Sequence, residues 1–107
     1  MKNEFGAELD RNGYAPSLIP WPAGCFVCGR TDRPLQRHEI IHGPYRDKST
    51  RYGLWEPLCD YCHARAHRDS GLDRKLKVIM QHAAMKAYGW SLDDWRRVFG
   101  KNYEEGP

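Results

Sequence analysis

The chain has 107 residues, 17 basic and 14 acidic side chains, 40% hydrophobic residues and a formal charge of +3. That length suits one domain, and the composition is globular rather than disordered. No apolar run approaches the roughly 20 residues of a bilayer span and nothing resembles a signal peptide, so an intracellular, cytoplasmic protein with no membrane partner is expected.

Charge is spread unevenly. Residues 1–24 hold two basic and three acidic side chains, residues 30–51 six and three, and residues 52–107 nine and eight. The basic middle segment is either a phosphate-binding surface or a solvated face.

In chain order, residues 1–24 end in "GYAPSLIPWPAG", whose prolines exclude a helix interior. They predict an extended N-terminal arm, with Tyr14, Leu18, Ile19 and Trp21 available to pack on the domain formed by residues 25–107. "CFVCGR" predicts a tight turn. "PLQRHEIIH" predicts a strand, "GPYRDKST" a polar turn or loop, and "RYGLWEPL" a second strand that Pro57 places at an edge. A helix is predicted from about Cys59 to Arg68, broken by "DSG". Apolar residues at 72, 76, 79, 80, 83, 84 and 87 have helical spacing and predict a helix over 72–88, which Gly89 caps. A last helix over 91–99 takes Ser91 as N-cap, Asp93 and Asp94 in its first turn, and Trp95, Val98 and Phe99 as its buried face. The fold class is small α+β.

Cys25 and Cys28 form one C-x-x-C pair, and Cys59 and Cys62 form another. Two such pairs supply the four-sulfur tetrahedron that structural Zn²⁺ prefers, and a reducing compartment favours metal over disulfides. One pair on a turn and the other at a helix start describes a treble-clef zinc finger.

His63 and His67 lie four apart on the predicted helix and so share a face. His38, Glu39 and His42 stand upstream in "RHEIIH". Together these histidines suggest a second metal site.

The order C-x-x-C-G, "HEI", then "LCDYCH" with a further histidine resembles the four-cysteine branch of the HNH (His-Me finger) endonucleases. More narrowly, "HEIIHG", "RYGL", "PLCDYCHARAH" and "FGKNY" resemble small HNH-like proteins of bacteriophages, over roughly residues 12–103. The resemblance implies a ββα unit holding one divalent ion (Mg²⁺, Mn²⁺ or Zn²⁺) and hydrolysing DNA phosphodiesters. By position His38 matches the strand ligand, Glu39 the general base and His63 the helix ligand; His67 has the spacing of an additional ligand. It also implies docking on nucleic acid, for which Arg37, Arg46, Lys48, Arg51, Arg65 and Arg68 are the candidate phosphate contacts, with Tyr45, Tyr52 and Trp55 available to stack on bases or pack inward. Glu39 stands where the family usually has histidine, and the motif's asparagine has no counterpart in "YGLW". In an alternative register His38 is the base and His42 helps hold the ion. Three readings stay open: a phage endonuclease, a catalytically degenerate zinc protein that binds nucleic acid or blocks a host defence protein, and a zinc-stapled structural subunit. Oligomeric state is left undetermined.

Overall fold

A computed structural model describes residues 1–104. Two antiparallel strands, β1 (Leu35–Glu39) and β2 (Trp55–Cys59), form the only sheet among the described residues. Their register runs from Leu35 opposite Cys59 to Glu39 opposite Trp55. Four helices complete the α+β fold: α1 (Arg46–Tyr52), α2 (Asp60–Arg68), α3 (Ser70–Tyr88) and α4 (Leu92–Phe99). None is long and apolar enough to cross a membrane. The radius of gyration of 13.5 Å is close to the roughly 13 Å expected of a compact chain this long.

The segment between the strands corrects the sequence expectation. "GPYRDKST" is helical: a 3-10 turn over Gly43–Tyr45 leads into α1, which takes Arg51 and Tyr52 out of the predicted second strand. Ser49 explains why so polar a helix holds. Fully buried, its Oγ donates to the Ile41 carbonyl at 2.7 Å and accepts from the Ile41 amide at 3.0 Å. Gly53 ends α1 in the left-handed region at φ 80°, and a Cβ there would collide with the Pro16 carbonyl oxygen.

That contact belongs to the arm, which lies against α1 and β2. Backbone bonds run from Ala15 N to Thr50 O (2.9 Å), Leu18 N to Gly53 O (3.0 Å) and Phe26 N to Pro57 O (2.8 Å). Pro57 lacks an amide but keeps its carbonyl, and Phe26, just past the arm, uses the one backbone group it offers. Phe5 packs 4.3 Å from the Tyr88 ring, measured between centroids. The Asn3 side chain donates to the Arg51 carbonyl at 2.9 Å.

The core gathers Ile40, Leu54 and Leu58 from in and beside the strands, Leu76, Met80 and Ala84 from α3, and Trp95 and Phe99 from α4. Helix α4 begins with a full capping box between Ser91 and Asp94, and the Trp95 and Phe99 centroids are 4.5 Å apart. Asp69 both ends α2 and caps α3, accepting from Leu72 N at 3.1 Å. "DSG" thus bends the chain at a single residue, and α3 starts at Ser70 rather than 72.

Candidate metal centre and cleft

Cys25 and Cys28 sit on a knuckle closed by Gly29 N to Cys25 O (2.8 Å) and Cys25 N to Arg30 O (2.9 Å). Gly24 is required there: at φ +79°, an added Cβ would lie 2.8 Å from the Gly29 carbonyl oxygen. Cys59 closes β2 and caps α2, and Cys62 lies one turn on. Arg33 grips Asp60 with two bonds of 2.6 and 2.8 Å, tying the knuckle to the helix start.

All four thiols are free, and their sulfurs lie within 4.8 Å of one another. The Cys28 and Cys59 sulfurs are 3.8 Å apart. A tetrahedron with Zn–S arms of about 2.3 Å has edges of about 3.8 Å, so this spacing fits a four-thiolate metal site such as zinc. Burial alone would raise the Cys25 thiol, but hydrogen bonding with the backbone of Cys28, Cys59 and Val27 brings it down to about 6. Burial and the neighbouring sulfurs push Cys62 up. Four crowded thiols with one readily ionised are ready to exchange protons for a cation.

A second cluster also draws on α2. His38 near the end of β1 and His63 and His67 on α2 each offer a nitrogen within 4.8 Å of the others. The ring centroids are 5.0 Å (His38–His63), 5.3 Å (His38–His67) and 5.1 Å (His63–His67) apart. His38 is wholly buried, and its Nε2 has no hydrogen-bond partner among the described residues. Burial, then the neighbouring imidazoles of His63, His67 and His42, pushes its pKa down to about 4. Burial, then His67, also lowers His63. His63 Nδ1 bonds the side-chain oxygen of Gln36 on β1. That oxygen accepts, so Nδ1 carries the proton and Nε2 is left as the lone-pair donor, the usual arrangement behind a metal-bound imidazole. Two imidazoles that resist protonation, His38 and His63, and an orphaned buried nitrogen are the donor chemistry a divalent cation requires.

These rings line a cleft of about 460 Å³ with Tyr14, Arg37, Glu39, His42 and Arg46. Glu39 is not free in it. Its Oε1 accepts from Tyr14 Oη at 2.6 Å and Arg46 Nε at 3.0 Å. Burial would raise this carboxyl, but the bonds from Tyr14, the backbone and Arg46 outweigh it and hold the group below the ordinary carboxylate range. His42 adjoins the cluster, 5.7 Å from His67 between ring centroids, with Nε2 3.1 Å from Asp73 Oδ1.

The six basic candidates separate. Arg37 and Arg46 line the cleft; Arg37 stacks over Tyr14 and Trp55 and donates to Asp10 at 2.8 Å. Lys48 donates to the Val98 carbonyl, Arg51 pairs with Glu4, Arg65 with Asp69, and Arg68 lies over Tyr61. Arg65 lines a different pocket, with Phe26 and Leu72. Among the aromatic candidates, Tyr45 packs toward Phe99, Tyr52 against Phe5 and Tyr88, and Trp55 under the arm, donating to the Ala15 carbonyl. Sequence reading missed Tyr14, Gln36 and Asp73. Each reaches the cleft residues through the fold, and no local pattern marks it. Comparison with models of protein families, with curated proteins and with solved structures finds no match to this chain.

Proposed function

We propose that the protein is a metal-dependent phosphodiesterase of HNH (His-Me finger) type, built on a treble-clef zinc site and acting on DNA. One observation carries this reading: three imidazoles, one from the end of β1 and two from α2, converge in an open cleft that also holds two arginines. Cys25, Cys28, Cys59 and Cys62 would hold a structural Zn²⁺, and His38, His63 and His67 the second cation. An all-imidazole set suits Zn²⁺ better than Mg²⁺, which prefers oxygen ligands. A divalent ion so placed supplies Lewis-acid stabilisation of charge on a phosphoryl or leaving oxygen. Gln36 holds His63 in the ligating tautomer, and Arg37 and Arg46 supply positive charge for a phosphodiester. Glu39, at the family's base position, is ionised but already engaged by two donors, which makes it a weak proton acceptor.

A second reading rests on that last point. With Glu39 engaged, and with Arg37, Arg46, Arg51 and Arg65 all paired with carboxylates, the same architecture suits a degenerate protein that binds nucleic acid or a host protein without cutting. Metal analysis followed by plasmid cleavage with added Mn²⁺, Zn²⁺ or Mg²⁺ separates the two, comparing wild type with His63→Ala. Metal-dependent cutting lost in the variant supports the enzyme. Tightly held zinc with no cutting supports the binding protein.

A further inference from the structure

The loop after β1 and the first turn of α3 bring together an imidazole and a carboxylate that the sequence separates by 31 residues. His42 lines the cleft beside the three-histidine cluster. Its Nε2 is 3.1 Å from Asp73 Oδ1, while Asp73 Oδ2 is 2.8 Å from Lys77 Nζ. Burial would raise the Asp73 carboxyl, but the bonds from Lys77 and His42 hold it below its ordinary value. An ionised carboxylate only accepts hydrogen bonds. His42 Nε2 is therefore the donor toward Asp73, and Nδ1 is the ring nitrogen left over, with no hydrogen-bond partner among the described residues.

This is the orienting geometry of a general base: an imidazole at the substrate cleft, its tautomer fixed from behind by a carboxylate, which is itself fixed by a lysine. Glu39, the alternative, has its Oε1 taken by Tyr14 and Arg46. We propose that His42, oriented by Asp73, is the general base of the reaction; this rests on the phosphodiesterase reading above. A water in the cleft gives a proton to His42 Nδ1 as its oxygen forms the new bond to phosphorus. The bond from phosphorus to the leaving oxygen breaks, its electron pair stays on that oxygen, and the oxygen takes a proton from solvent. The His42 imidazolium then returns its proton to bulk water.

The test uses the full chain with its zinc and compares wild type, His42→Ala, Asp73→Asn, Glu39→Gln and His63→Ala. Cleavage of plasmid with Mn²⁺, affinity for Mn²⁺, and the nitrogen-15 imidazole spectrum are measured on each. In wild type the spectrum should place the His42 proton on Nε2, and Asp73→Asn should shift it toward the other tautomer. His42→Ala should slow cleavage by about 10²- to 10³-fold, more than Glu39→Gln does, and leave Mn²⁺ affinity within about twofold. Asp73→Asn should slow it at least about tenfold. Cleavage by wild type with His42→Ala unaffected overturns the base assignment alone. A fall in Mn²⁺ affinity in His42→Ala matching that of His63→Ala makes His42 a ligand and also overturns it. Wild type that binds Mn²⁺ and does not cut overturns the phosphodiesterase reading, and this assignment with it.

Discussion

Glu56 offers the sharpest test of how the fold treats charge. It lies on β2 with no exposed surface, where Oε1 accepts from Ser17 Oγ at 2.7 Å and Oε2 has no partner among the described residues. Burial pushes its carboxyl from an ordinary 4.5 up to about 7, against the opposing Ser17 bond. The folded protein then keeps a proton that the unfolded chain has released, so this group's contribution falls as pH rises from about 4.5 to about 7 and is level above. At about 1.4 kcal/mol per decade the full effect is about 3 kcal/mol, of which about 2 kcal/mol falls between pH 5.5 and 8.5. Glu56→Gln keeps the shape and removes the ionisation. Urea unfolding of both proteins with zinc present, followed by tryptophan fluorescence at those two pH values, isolates the effect. Acid lability of the cysteine site is common to both and cancels. The variant should gain about 2 kcal/mol on wild type as pH rises. A difference independent of pH would refute the argument, because it would mean that the carboxylate finds solvation when ionised.

Other perturbations reach other parts of the fold. Purified protein should carry zinc on its cysteines, and chelation or Cys25→Ser should unfold it as read by circular dichroism, since the site joins the knuckle to β2 and α2; an unchanged spectrum after complete metal removal counts against this. Gly53→Ala should cost more than about 1 kcal/mol, from positive φ and the Pro16 contact, and should make the arm sensitive to protease before the core. An arm still resistant in that variant would show the contact to be unimportant. Ser91→Ala removes one half of the capping box and should cost about 1 kcal/mol in thermal unfolding, with the far-ultraviolet spectrum retained.

The cysteine pairs were legible because two-residue spacing has few physical uses, and the fold brings all four sulfurs together. Helices α3 and α4 were legible from apolar spacing and caps: Gly89 and Ser91 act where the sequence placed them. Helix α1 was not, since "RDKSTRY" has no apolar face and its stability comes from Ser49 bonding the distant Ile41 backbone. The histidine cluster was half visible. Residues 63 and 67 share a helix face, but the approach of His38 depends on strand register. Burial of Glu56 and Gln81 carried no signal at all. Gln81 is enclosed because its amide binds Asn102 and the Tyr103 backbone, a contact that exists only once the chain returns past α4.

Asp69 gives the molecule a fixed angular phase. Because α2 and α3 share this one residue as end and cap, no loop stands between them to absorb a change of length. Each residue added or removed there would turn α3 by about 100° about its axis relative to α2. Leu76 and Met80 would leave the core, and Asp73 would leave His42. The alignment of cleft with core is therefore set by a residue count, and at this joint a change of length does more harm than a change of side chain.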